Sequence, residues 1–477
     1  MNSTLLGFVI LYLVISIGIG MYAATRVHNA SDYITAGRSL PMFVVVAMVF
    51  ATWFGAETVL GIPATFLDEN LGGTISDPFG ASLCLVLFGL IFARPLYRQN
   101  LLTLGDFYRI RFNRGVEVVV SIAIALSYLG WVSAQVTALG LVFNVLSGGE
   151  ITQTGGILIG AAVVLLYTLY GGMWSVALTT VFQMSIIVAG LLWIAWLVAD
   201  MPEVNGVAPV IEHARNAGKF EFWPPLEWGA IVTFIAGLLT MGIGSIPQQD
   251  VFQRANSSAS ERVAVWGTTI GGLAYFFFTA VPIYLTYSAT LVDPVHTTAL
   301  MEQDSQLVLP SFVISHMPIV AQVVFFGALL SVIMSTASGT LLAPAVTISE
   351  NVIKELLPEG TLTDERLLKL TRIVVALFAL GVVAYSLWSA QSETSIHTMV
   401  ENAYKVTMAC AIVPLAAGLF WKRASNFGGG LSIVLGLGVW IALEIIDPEA
   451  TLPPQFGGFI ASTVGMIAGS LARPRDR

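Results

Sequence analysis

The chain has 477 residues, 56% of them hydrophobic and only 10% charged. A soluble domain carries about 25% charged residues, so composition excludes soluble, disordered and coiled-coil classes and leaves a polytopic membrane protein. The mean hydropathy of +0.82 agrees, and the net charge of −8 argues against nucleic acid as a partner.

A spanning helix needs ~20 predominantly apolar residues. Thirteen runs meet that need: 4–25, 39–67, 77–95, 115–147, 154–170, 173–198, 226–246, 263–291, 318–347, 370–389, 398–421, 427–446 and 456–472. The expected fold is therefore an all-α bundle of 13 transmembrane helices in one transmembrane domain, 1–477. The first run has no Lys or Arg before Arg26, so it is a retained helix, not a signal peptide. Eighteen of the 21 Lys and Arg residues fall in one alternate set of loops and tails, from Arg26 to Arg475 and Arg477. Only Arg215 and Lys219 fall in the other set, and Lys405 lies within a run. This asymmetry sets the N-terminus outside and the C-terminus in the cytoplasm. Loop 199–225 reads as an ordinary connection with some helix. Loop 348–369 carries alternating charge (Glu355, Glu359, Asp364, Glu365, Arg366, Lys369) and reads as a solvated amphipathic helix.

Two runs look broken. The second holds Gly55, Gly61 and Pro63 among Thr52, Trp53, Glu57 and Thr58. The seventh holds Gly242, Gly244, Ser245 and Pro247, then Gln248 and Gln249. They stand five runs apart, the spacing expected of two five-helix repeats with a binding site at the breaks. Repeat one covers about 39–198 and repeat two about 226–421, with 4–25, 427–446 and 456–472 peripheral.

Charge within a span is rare and points to function. Glu57 sits in the broken second run, and Glu401 and Lys405 stand at i, i+4 in the eleventh, where they can pair. The ninth run carries Ser331, Ser335, Thr336, Ser338 and Thr340. Membrane Ser and Thr often return a hydrogen bond to the preceding turn, but sodium also wants hydroxyl and carbonyl oxygen, and an unwound helix frees carbonyls. The histidines and the two cysteines, Cys84 and Cys410, show no metal-ligand spacing. No Walker lysine motif occurs, so ATP is not the expected energy source.

Four segments carry a resemblance across nearly the whole chain: ATWFGAETVLGIPA from Ala51, GGMWSVALTTVFQ from Gly171, GSIPQQDVFQR from Gly244 and IMSTASGTLL from Ile333. Together they resemble the sodium:solute symporters, among them the proline, galactose, sialic acid and choline carriers. The resemblance implies the inverted-repeat (LeuT-type) fold and sodium-coupled uptake of a small polar organic solute by alternating access. The expected location is the plasma (inner) membrane, within the lipid bilayer. It implies a sodium site from the carbonyls of Ala51, Phe54 and Val332 and the hydroxyls of Ser335 and Thr336. One departure is Thr180, where the family's signature usually has Asp; it leaves sodium or proton as the coupling ion open.

The local match is best to the choline carriers, and Trp53 and Trp131, with Tyr128 one turn earlier, offer walls for a quaternary ammonium. Those carriers follow Ile-Pro with Trp where this chain has Gln248, so an amino acid or carboxylate suits the site better than choline. The expected solute set is Thr52, Trp53, Glu57, Trp131, Ser245, Gln248 and Gln249, with Gln248 facing Trp53 across the cavity and Thr180 acting in coupling. A passive channel or uniporter, or a sensor, on the same scaffold is the alternative; no nucleophile–base pair points to an enzyme.

Overall fold

The computed structural model describes residues 3–358, 362–389, 395–448 and 450–474. Glu359, Arg475 and Arg477 lie outside the described residues. Among the described residues the chain is helical, with a single β-bridge between Leu40 and Ser258. Among the described residues eight helices are long and apolar enough to cross a membrane: Gly72–Tyr97, Arg114–Ser147, Gly171–Ala199, Glu261–Val292, Ile319–Leu356, Asp364–Ser389, Asn426–Ile446 and Pro454–Ala472. Two bent pairs raise the count to as many as ten. Three shorter apolar helices, Ile10–Ala24, Gln153–Leu166 and Trp228–Gly242, complete the bundle. Large apolar side chains such as Phe43, Leu126, Trp196, Phe277 and Leu380 point outward. Such a surface is stable against lipid, not against water.

The helices that place the site are α1 (Ser3–Ala24), α2 (Met42–Trp53), α3 (Ile62–Asp68), α4 (Arg114–Ser147), α5 (Gln153–Ala199), α6 (Trp228–Gly242), α7 (Gln249–Asn256), α8 (Glu261–Phe278), α9 (Ile319–Ile348), α10 (Ile396–Ala403), α11 (Lys405–Cys410) and α12 (Ile412–Phe420). The middle of the bundle is α9, buried without interruption from Ala328 to Thr347. It packs against α1, α2, α4 and α5.

The breaks have local causes. α2 stops at Trp53, where Phe54 leaves the helix with ψ of 75°. Gly55 follows, then a π turn over Glu57–Gly61, and α3 begins with Pro63 in its first turn, bent by 57° from α2. The seventh run also breaks as expected: α6 ends at Gly242 and helix resumes only at Gln249, after Pro247. Gly172, with φ of 50° and ψ of −139°, divides α5 at the foreseen boundary between the fifth and sixth runs. A Cβ there would strike the Tyr33 carbonyl and ring, so glycine is required both for backbone and for space.

A third break, in the eleventh run, was not foreseen. Ile396–Cys410 and Ile412–Phe420 meet at 48°. Pro414 has no N–H to return to the Cys410 carbonyl, and the neighbouring Ala411 carbonyl accepts from the Tyr108 hydroxyl at 2.9 Å as well as from the Leu415 N–H at 3.1 Å. A turn at Tyr404 separates α10 from α11. That turn corrects the expected Glu401–Lys405 pair, because the two no longer lie one helical turn apart on one face. Glu401 instead faces Ser76 (3.5 Å) and His397 (4.0 Å), and Lys405 lies 3.9 Å from Glu444.

The loop 348–369 is also corrected. Glu350, Asn351 and Glu355 are buried, not solvated. Glu355 binds Arg109 and lies 3.5 Å from Arg114, while Asn351 donates to Asp106 and Glu117 at 2.9 Å each. Alternating charge looks the same whether its partners are water or another loop. Glu365–Lys369, at 2.8 Å, does form the exposed i, i+4 pair that the pattern suggests.

Candidate functional site

The five hydroxyls between Ser331 and Thr340 of α9 separate into two groups. Ser331, Ser338 and Thr340 return hydrogen bonds to their own helix, at 2.7 Å to Gly327, 3.1 Å to Ser335 and 2.7 Å to Thr336. Ser335 and Thr336 do not. Thr336 Oγ1 donates across to the Ala51 carbonyl at 3.4 Å, and Ser335 Oγ lies 3.5 Å from Thr180 Oγ1. All four residues are buried. The structure thus brings Ala51, Ser335, Thr336 and Thr180 together at the end of α2. Phe54 stands at the break itself, and Val332 one turn before Ser335 and Thr336 on the buried α9. These oxygens are neutral and hard, which suits an alkali cation and not a transition metal. Among the described residues no group of three His, Cys, Asp or Glu can hold a metal.

Beside this cluster four aromatic rings meet. Trp53 stacks on Tyr404 with centroids 6.0 Å apart and packs edge-on to Trp131 at 5.4 Å. Trp131 packs edge-on to Tyr404 at 5.8 Å and stacks on Tyr128 at 6.1 Å. These are distances of direct ring contact. Tyr404 lies at the turn between α10 and α11, and its buried hydroxyl has no hydrogen-bond partner among the described residues.

Two buried carboxylates flank the rings. Glu57 accepts from Trp131 Nε1 at 3.3 Å and Gln135 Nε2 at 2.7 Å, and Gln135 in turn accepts from the Ala56 N–H at 2.9 Å. Both donors are neutral, and no Lys or Arg among the described residues pairs with Glu57. Asp250 accepts from the Tyr128 hydroxyl, and its own N–H donates to that oxygen at 2.8 Å. A third buried acid, Asp77, accepts from Tyr275, whose hydroxyl lies 3.3 Å from Thr58 Oγ1. Asp68, Glu69, Asp304, His397 and Glu401 line a cavity of about 300 Å³ that reaches Gly61 of the first break.

Of the expected solute residues, Trp53, Trp131 and Glu57 come together as described. Thr52 is buried and accepts from Arg254 Nε at 2.9 Å. Ser245 returns its hydroxyl to the Met241 carbonyl, the ordinary behaviour of a membrane serine. Gln249 accepts from the Leu104 N–H at 2.8 Å, away from the rings. Gln248 is buried against α4, its amide donating to Ser127 Oγ at 2.9 Å and accepting from it at 3.3 Å. Gln248 thus turns its amide to Ser127, one residue before the Tyr128 of the aromatic site. Gln248→Ala is expected to cost about 1 kcal/mol of stability and to leave solute affinity within about threefold. Thermal unfolding and a binding isotherm of the variant check this; a tenfold loss of affinity would return the amide to the site. Tyr404, Gln135, Asp250 and Arg254 were missed. Asp250 and Arg254 lie inside the quoted GSIPQQDVFQR segment and were legible as charges beside a broken span; Tyr404 and Gln135 give no such signal.

Helices broken at mid-bundle, a hydroxyl-and-carbonyl cluster and an aromatic site between them define a membrane transporter. The sequence model of the sodium:solute symporter family matches residues 33–436, and the chain belongs to that family. It is a multi-pass membrane transporter and not an enzyme, and sodium is its co-transported ion. It is 25% identical over 453 residues to the human high affinity choline transporter 1, covering 91% of this chain and 75% of the relative. It is 24% identical over 479 residues to the osmoregulated proline transporter OpuE of Bacillus subtilis, covering 98% and 94%. The solved structure of a Na+-coupled sialic acid symporter in a substrate-bound outward-open state superposes with a TM-score of 0.80 at 20% identity, covering 98% of this chain and 97% of that one.

Proposed function

We propose that the protein couples sodium entry to uptake of a small organic solute bearing a positively charged nitrogen, by alternating access across the plasma membrane. The observation that carries this reading is the end of α2, where residues of one helical turn serve both ligands. The Ala51 carbonyl meets Thr336, and the Trp53 ring enters the aromatic site two residues later. Sodium is held by Ala51, Phe54, Val332, Ser335 and Thr336. The solute's nitrogen is held by the faces of Trp53, Trp131 and Tyr404 and by Glu57, whose present donors are neutral. The site takes a choline-like ammonium or the amine end of an amino acid in preference to a simple carboxylate. The acid-lined cavity beside Gly61 favours the same charge on the approach.

The thirteen runs correspond one for one to the eight long helices, two bent pairs and three shorter apolar helices, which supports a 13-span arrangement. The breaks five runs apart support two inverted repeats, 39–198 and 226–421, with the N-terminus outside and the C-terminus in the cytoplasm. The sodium gradient is the energy source in place of ATP. A thermal-shift screen of the purified protein against choline, betaines, polyamines and amino acids, in sodium and in potassium, tests the reading. Stabilisation by a cationic solute in sodium alone supports it; stabilisation by anionic solutes only contradicts it.

Thr180, 3.5 Å from Ser335, is where the charge of the sodium site is set. Thr180→Asp adds an anion next to the ion in a low-dielectric interior. Sodium affinity is expected to rise about tenfold at neutral pH. The gain should fall away on acidification, because the new carboxylate takes up a proton and its attraction is lost. Sodium titrations of both proteins at two pH values check this; an unchanged affinity at neutral pH would remove Thr180 from the ion's surroundings.

A further inference from the structure

Arg254 is the one basic side chain of α7, and it is fully buried. Its Nε donates to Thr52 Oγ1 at 2.9 Å. Its Nη1 donates to the Asp250 carbonyl at 2.8 Å and lies 3.5 Å from the Asp250 carboxylate. Its Nη2 has no hydrogen-bond partner among the described residues and rests against Gly339 of α9, where a Cβ would collide with it. Gly339 lies one turn after Thr336, on the helix that supplies the two free hydroxyls. A guanidinium presents donors along both edges of a rigid plane, so this one group touches α2, α7 and α9 at once.

The contacts form an unbroken line. Thr336 meets Ala51; Thr52 is the next residue and receives Arg254; Arg254 holds Asp250; Asp250 receives Tyr128; Tyr128 stacks on Trp131. The sodium cluster lies at one end and the aromatic site at the other. No other buried cation among the described residues spans them. Burying an arginine against a single carboxylate, with one donor unpaired, is unfavourable for stability alone.

We infer that Arg254 is the positioning residue that couples the two sites. Sodium bound at the end of α2 fixes Thr52, Thr52 fixes the guanidinium, and the guanidinium fixes α7 and with it Asp250 and Tyr128. Sodium therefore orders the aromatic site before solute arrives. The inference rests on the sodium site proposed above, and the test keeps the two apart.

The test is hydrogen exchange of the full-length protein in lipid nanodiscs, in sodium and in potassium, without solute. In the wild type, sodium is expected to slow exchange at the end of α2 and around Ser335, and also in α7 over Phe252–Asn256, by about tenfold, the usual size of such a coupling. In Arg254→Lys, whose compact ammonium cannot hold Thr52 and Asp250 together, the effect at α2 and α9 should persist and the effect at α7 should vanish. Thr52→Val, which keeps the shape and removes the acceptor, should do the same without disturbing the charge. A merely structural arginine would raise exchange equally in both salts and leave the sodium-dependent difference in place. Equal sodium protection of α7 in the wild type and both variants overturns the inference, as does its absence from α7 in the wild type. Absence of sodium protection at α2 and α9 in the wild type overturns the proposed sodium site itself.

Discussion

Replacing both free hydroxyls, Ser335→Ala with Thr336→Ala, is expected to raise the sodium concentration for half-maximal uptake on the order of a hundredfold. Each oxygen facing a cation is worth about 1.5 kcal/mol, and two of the five proposed ligands are lost, which is about 3 kcal/mol in binding. The fold should survive. Neither hydroxyl supports the backbone of α9, whereas Ser331, Ser338 and Thr340 do hydrogen-bond to it. Ser338→Ala is thus the control, a hydroxyl within the same buried turn that should leave sodium dependence nearly unchanged. Sodium titrations of uptake, with the amount of protein in the membrane measured alongside, check both. Equal effects of the two replacements would mean that the distinction drawn from their hydrogen bonds has no bearing on the ion.

Glu57→Gln carries the second large effect. The carboxylate receives one donor on each oxygen, Trp131 on one and Gln135 on the other. An amide offers a single acceptor, so its nitrogen must face one of those donors, and the negative charge is gone as well. Loss of a charge-assisted contact is worth about 1.5–3 kcal/mol, so affinity for a cationic solute should fall about ten- to hundredfold. Sodium binding without solute should persist, because Glu57 lies beyond the break and contacts none of the sodium cluster's hydroxyls. Binding isotherms in saturating sodium check this. Unchanged affinity would reduce Glu57 to a structural acceptor for Gln135 and Trp131.

Much of this architecture is legible in the sequence, for physical reasons that differ from place to place. Apolar runs near twenty residues report bilayer thickness, so the long apolar helices were visible at their observed positions. Gly55, Pro63, Gly242 and Pro247 mark two breaks because each weakens or forbids a helical hydrogen bond. The third break falls beside Pro414, where Tyr108 also reaches across from another segment to the Ala411 carbonyl, a contact that no local pattern encodes. The cluster of hydroxyls in the ninth run was visible as composition. Which two are free was not, since that depends on whether each side chain turns back to its own helix. The partner of Gln248 was hidden similarly: a buried amide takes the nearest partner, and Ser127 lies 121 residues away in sequence but within hydrogen-bond reach in space. Tyr404 is an ordinary aromatic until the turn beside it places the ring over Trp53.

Coupling itself is what most needs measurement. The solute identified by the thermal-shift screen should be offered to proteoliposomes with an inward sodium gradient, and its internal concentration followed until steady. Accumulation above the external concentration, abolished when potassium replaces sodium and strongly reduced in Ser335→Ala with Thr336→Ala, is the result that sodium-coupled symport predicts. Simple equilibration of the solute, at the same rate in sodium and in potassium, would contradict it and leave a passive uniporter on the same scaffold.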